Sequence, residues 1–155
     1  MSKVIISSFE ELDALTGKEL GISAWHEFTQ AQINLFADAT LDHQWIHVDE
    51  KKCKQESPFG APIAHGYLTL SMLPYLWNQI VDVQNLKLQV NYGIEKFKFN
   101  QPVLVNCRVR LVATVNSVIN LRGITKANIG AKLEIEGNKK PAYEGELVFL
   151  YQFKS

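Results

Sequence analysis

The candidates for proton transfer or metal binding between residues 38 and 65 are Asp38, Asp42, His43, His47, Asp49 and His65. They include three of the chain's four histidines. The densest part, LDHQWIHVDE at 41–50, puts three acidic groups beside two histidines and a tryptophan. Histidine exchanges protons near neutral pH, and a nearby carboxylate can orient it or share a bound water with it. A metal reading would use His43 and His47, which share a face if the segment is helical. Trp45, Ile46 and Val48 would then scatter around that helix without a stripe, and no glutamate follows a histidine as a metalloprotease helix requires. We expect no metal. In a loop, Asp42 and His47 can converge while Trp45 and Ile46 bury beside them and lower the local dielectric. The competing reading keeps Asp42 as a turn cap and His47 as a satisfied, partly buried polar group.

His65-Gly66 adds a second kind of group. It stands between a Pro/Gly loop, SPFGAPIA, and the most apolar run of the chain, GYLTLSMLPYLWNQI. The first N–H groups of a helix have no internal partner, and Gly66 leaves the approach to them open. An oxygen that gains negative charge during a reaction fits such a place. Gly66 has a purely structural alternative, close packing of the helix.

The elements that must position these groups follow from periodicity. Ser8 caps a short helix in SSFEELDAL, with Glu10 and Glu11 in its first turn. Residues Ser23 to Phe28 read as extended, anchored by Trp25 and Phe28. Thr29 caps a second helix, in which Ile33, Phe36 and Ala37 form an i, i+3, i+4 stripe. VDEKKCKQ reads as a short helix. Residues 66–80 make a helix apolar nearly all round, which belongs inside a fold, with Pro74 predicting a kink. After about residue 82 the period falls to two: LKLQVNYGIEKFKF, Val103 to Thr114, a long strand through VINLRGITKANIGAKLEIEG bulged at Gly123 or Gly130, and AYEGELVFLYQF. The last is apolar on both faces from Leu147 to Tyr151, as a central strand would be. The fold class is therefore α+β, a long antiparallel sheet wrapped around a central buried helix at about 66–80, the arrangement called a hotdog. We expect one domain over 1–155 with an N-terminal helical region at about 8–40.

Composition narrows the function classes. The chain has 155 residues, with 16 Lys plus Arg against 16 Asp plus Glu, so no charge excess points to nucleic acid. Cys53 and Cys107 form no CxxC unit, which argues against a disulfide scaffold or structural zinc. The N-terminus MSKVIISSFEELD lacks the features of a signal peptide, and the apolar run is too short and polar to span a bilayer. We expect a cytoplasmic protein with no membrane partner.

FADATLDHQWIHVD followed by FGAPIAHGYLTLSMLP resembles the signature of the MaoC-like dehydratases, hotdog proteins that include the R-specific enoyl-CoA hydratases. The His-Gln-Trp-Ile-His variant resembles the branch related to nodulation protein N. The resemblance implies hydration of trans-2-enoyl thioesters, or dehydration of R-3-hydroxyacyl thioesters. Residue by residue, it implies that Asp42 and His47 form the catalytic dyad and that the Gly66 N–H receives the thioester oxygen. It makes His65 a support that orders the loop, and Asp49 structural. CoA or an acyl-carrier protein would bear the substrate, with no further cofactor, and two chains would pair as a homodimer. Candidates for the carrier's phosphates are Lys51, Lys52, Lys54, Lys96, Lys98, Arg108 and Arg110, none of them fixed by the sequence. Where the family commonly has Asn-Pro, this chain has Gln44 and Trp45, so Trp45 either narrows an acyl tunnel or packs outside it. Thioester hydrolysis on the same fold, or acyl-thioester binding without turnover, remain the alternatives.

Overall fold

The computed structural model describes residues 2–154. Its helices begin where capping chemistry places them. Ser8 Oγ accepts the Glu11 N–H at 3.2 Å ahead of α1 (Phe9–Asp13), and the Glu11 carboxylate accepts the Ser7 N–H at 2.6 Å. Thr29 accepts the Gln32 N–H and opens α2 (Gln30–Thr40), which buries Ile33 and Ala37 and stops at Leu41 with φ +62°. The stretch 8–40, read as helical, also holds two short strands, β2 (Glu19–Ile22) and β3 (His26–Glu27). A further strand, β1 (Val4–Ile6), pairs in parallel with β4 (Val81–Val83). Strands of two to four residues are too short for a period to register.

After Leu41 come α3 (Trp45–Val48), a single turn, and α4 (Glu50–Glu56), whose first turn is capped by Asp49 accepting the Lys52 N–H at 2.8 Å. The central helix is two pieces, α5 (Gly66–Ser71) and α6 (Leu73–Ile80), joined at Met72. Pro74 sits in the first turn of α6, where its missing N–H would have had no partner within that helix, so the expected kink becomes a boundary. Leu68, Leu73, Leu76, Trp77 and Ile80 are buried, each worth about 1.5–3 kcal/mol of apolar burial.

The four long strands are β5 (Leu86–Phe99), β6 (Arg108–Leu121), β7 (Ile124–Ile135) and β8 (Tyr143–Phe153). The six-stranded sheet runs β2-β6-β7-β8-β5, with β3 also on β6, and every pairing in it is antiparallel. Leu111, Ala113 and Val115 of β6, Ile129 and Leu133 of β7, and Phe149 and Tyr151 of β8 pack with α5 and α6 in one core. β8 lies between β7 and β5, as its two-sided apolar pattern predicts.

The expected third strand differs. Residues 118–121 finish β6, and Arg122-Gly123, at φ +55° and +93°, make a two-residue hairpin turn into β7. A bulge does occur near Gly130, but on β6, where Asn116 is the extra residue between Val115 and Ser117, opposite the Asn128–Ile129 step. The Asn116 amide lies 2.9 Å from where a Cβ on Gly130 would be, so glycine makes room for the bulged side chain. β6 also begins later than its alternation suggests; Val103 to Cys107 form a connector that bridges Ile63 through Leu104.

Candidate active site

The residues of the 42–66 cluster are held by three backbone links. Ile63 N–H donates to the Ile46 carbonyl (3.1 Å), Ala64 N–H to Val103 (2.8 Å), and Val105 N–H to Pro62 (2.9 Å). The Pro/Gly loop is thereby strapped between α3 and the connector ahead of β6, which brings His47 and His65 together. Their rings stack with centroids 3.8 Å apart and planes at 23°. Both are buried, at 6% and 3% exposure.

Backbone carbonyls fix both tautomers, because a carbonyl can only accept. His47 Nδ1–H donates to the Ile63 carbonyl at 2.7 Å, leaving a lone pair on Nε2. His65 Nε2–H donates to the Asp42 carbonyl at 3.0 Å and holds the loop that carries Asp42. His65 Nδ1 is buried with no partner among the described residues. The Asp42 carboxylate lies 4.0 Å from His65 Nε2 and is about half exposed. Asp42, His47 and His65 each bring one polar atom within 4.8 Å of the others.

Burial pushes the His47 pKa below the ordinary histidine value; the Ile63 hydrogen bond raises it, His65 lowers it further and Asp42 raises it. The net direction is down, so His47 is neutral at pH 7 and its Nε2 can accept a proton. The same three residues have the composition of a metal site. Stacked, nearly parallel rings, however, aim their in-plane lone pairs alongside one another and not at one point.

Gly66 opens α5, with the carbonyl of His65 taking the N–H groups of Leu68 and Thr69 at 3.0 and 3.1 Å. The Gly66 N–H has no acceptor among the described residues. A Cβ at Gly66 would meet the Phe99 ring at 3.3 Å. His47 and Gly66 line a common pocket of about 330 Å³ with Ile63, Thr69, Phe99 and Val103. Asp42 is exposed and lies outside that lining. One residue along α5, Leu70 begins a second pocket of about 430 Å³, lined also by Leu73, Tyr92, Ile94, Leu147 and Phe149.

The other candidates separate from this centre. His43 pairs with Asp38 at 2.8 Å on the surface. Asp49 caps α4. Lys52 and Lys54 pair with Glu56 and Glu50 along α4, and the Lys52 ammonium also sits 4.8 Å over the Trp45 ring. Trp45 thus packs against α4 and lines neither pocket. Lys96 pairs with Glu146, Arg108 with Glu136, and Arg110 with Glu134. Two parts of the site had no signal in the sequence reading. The Ile63 carbonyl that sets the His47 tautomer is backbone, and Phe99 is brought to Gly66 only by the course of β5.

Residues 11–137 match the family described as MaoC like domain. The chain is 43% identical over 145 residues to 3-hydroxyacyl-thioester dehydratase Z of Mycobacterium tuberculosis, covering 93% of this chain and 95% of that one. It is 38% identical over 149 residues to nodulation protein N of Rhizobium meliloti, at 94% and 92% coverage. Among solved structures, the monoamine oxidase regulatory protein from Archaeoglobus fulgius superposes with TM-score 0.79 at 20% identity over 100% of both chains. An (R)-hydratase from A. caviae involved in PHA biosynthesis gives TM-score 0.71 at 23% identity, covering 90% of this chain and 96% of that one.

Proposed function

Since the chain belongs to the MaoC-like domain family, we propose that it hydrates trans-2-enoyl thioesters and, in reverse, dehydrates R-3-hydroxyacyl thioesters. One observation carries the reading: His47, whose Nε2 keeps a lone pair, and Gly66, whose N–H has no acceptor among the described residues, line the same pocket. A water held between His47 and the Asp42 carboxylate attacks C3. Its proton passes to that pair as the C2–C3 π electrons move toward the thioester oxygen, to which the Gly66 N–H donates a hydrogen bond as the charge grows. Return of a proton to C2 completes the addition. The 3-hydroxyacyl-thioester dehydratase of Mycobacterium tuberculosis, 43% identical, supports this reaction class. The apolar pocket from Leu70 to Phe149 receives the acyl chain, with Pro74 in its wall.

No cofactor beyond the substrate's own carrier takes part in this scheme. The pairing surface of a homodimer is β5, an edge strand of 14 residues that exposes Leu88, Val90, Tyr92 and Ile94. A long apolar edge left bare invites uncontrolled pairing, and a second copy covers it. Two unpaired cysteines suit a cytoplasmic location. Among the described residues, no helix is long and apolar enough to cross a membrane.

The test is a product-resolved screen of acyl-thioesters, starting with crotonyl-CoA. Loss of the enoyl absorbance together with a 3-hydroxyacyl product is the expected result. Release of free thiol without that product would identify a hydrolase, and absence of turnover across chain lengths by folded protein would leave a binding protein.

A further inference from the structure

Thr69 lies one turn into α5, is 3% exposed, and lines the pocket shared by His47 and Gly66. Both of its donors point back to the start of that helix. The Thr69 N–H donates to the His65 carbonyl at 3.1 Å, and its Oγ1–H donates to the Gly66 carbonyl at 2.6 Å. The first acceptor belongs to the peptide unit that carries the Gly66 N–H. The second belongs to the peptide unit that follows it. One residue thereby holds both planes that flank the Gly66 Cα.

A peptide unit is planar, so the orientation of the 65–66 plane sets the direction of the Gly66 N–H. Glycine restrains its own φ and ψ less than any other residue, and the first N–H of a helix has no partner within it. The His65 side chain supplies no cap to α5, because its Nε2–H is turned to the Asp42 carbonyl. The direction of the N–H is left to the bonds that the two neighbouring carbonyls accept. Leu68 N–H adds one to His65 at 3.0 Å. Among the described residues, Thr69 is the one side chain that bonds either carbonyl. A hydroxyl returning to the preceding turn is common in helices. The Ser71 hydroxyl on the Tyr67 carbonyl is such a bond, on an exposed residue where water can replace it. Thr69 is buried, and water does not readily take its place.

We propose that Thr69 is a positioning residue for the oxygen of the substrate, acting through the two carbonyls that flank Gly66 to aim its N–H. The inference rests on the thioester reading above and adds a residue that neither exchanges a proton nor touches the reacting atoms. The oxygen gains its charge on the way to the transition state, so a misaimed donor lowers kcat and leaves KM nearly unchanged.

The experiment compares Thr69→Val, which keeps the shape and loses the hydroxyl, with Thr69→Ser, which keeps the hydroxyl and loses a methyl group. In the crotonyl-CoA assay Thr69→Val is expected to lower kcat about tenfold, less than the 10²-fold or more that follows outright loss of an oxyanion donor. Thr69→Ser should recover most of that loss. A second measurement uses no substrate: the ¹⁵N order parameter of the Gly66 N–H. It is expected near the rigid-backbone value of about 0.85 in the wild type and in Thr69→Ser, and lower in Thr69→Val. That reading supports the positioning role even where no hydration is detected, so failure of the proposed reaction is told apart from failure of this inference. An order parameter unchanged in Thr69→Val would overturn the inference. A kcat loss in Thr69→Ser as large as in Thr69→Val would also overturn it, because the hydroxyl would then not be the cause.

Discussion

His47 and His65 occupy one stack yet are wired oppositely, and that asymmetry divides their work. His47 gives its Nδ1–H to Ile63 and keeps Nε2 as an acceptor, whereas His65 gives its Nε2–H to the Asp42 carbonyl. The first is suited to take a proton and the second to hold a loop. Replacing Asp42 or His47 by Ala is expected to lower kcat by about 10²- to 10⁴-fold in the enoyl-CoA assay, with far-ultraviolet circular dichroism unchanged. The pH profile follows from the direction of the His47 shift. A base must be neutral to act, burial holds its pKa below 6.5, and so kcat/KM should persist on acidification past 6.5 before falling. An acid limb centred above 6.5 would contradict the assignment. Gly66→Ala retains the N–H but sets a methyl 3.3 Å from the Phe99 ring. It is expected to lower kcat/KM by about tenfold through that crowding, and Phe99→Leu should restore part of the loss in a double-mutant cycle.

At the scale of elements, the central helix shows how local chemistry and packing share the work. Pro74 in a continuous helix would cost about 3 kcal/mol or more. As the second residue of α6 it removes an N–H that would have been unpaired within that helix. Pro74→Ala should accordingly change unfolding free energy by less than about 1 kcal/mol in a urea titration, whereas Trp77→Ala, at a fully buried position, should cost about 3–5 kcal/mol. The division between the two pockets falls within α5, which presents Gly66 and Thr69 to one and Leu70 and Ser71 to the other. α3 is the smaller counterpart. Four residues suffice to turn His47 inward while Trp45 packs outward against Lys52.

For the whole molecule, the open question of chemistry is the edge. β5 pairs only with β8, shifts register at three places along it, and exposes large apolar side chains on a strand of 14 residues. Light scattering coupled to size exclusion is expected to give twice the 17.6 kDa chain mass. Val90→Lys with Tyr92→Lys should shift the protein toward monomer by placing cations on the pairing edge. A wild-type monomer at micromolar concentration would refute pairing through this strand.

Much of the scaffold was legible in order along the chain. Ser8 and Thr29 as caps, the apolar run from Gly66 to Ile80, and the alternation of β5 to β8 each depend on neighbours within a few residues, and these local rules held. Where they fail, a distant partner decides. Arg122-Gly123 reads as a bulge until β7 is seen to fold back on β6, and β1 to β3 exist only because other strands pair with them. The motif residues Asp42, His47 and Gly66 could be named from sequence as candidates. The histidine tautomers, the His47–His65 stack and the apposition of Phe99 to Gly66 could not. Side-chain type is written in the chain, but a proton's position is set by whichever carbonyl the fold brings within 3 Å.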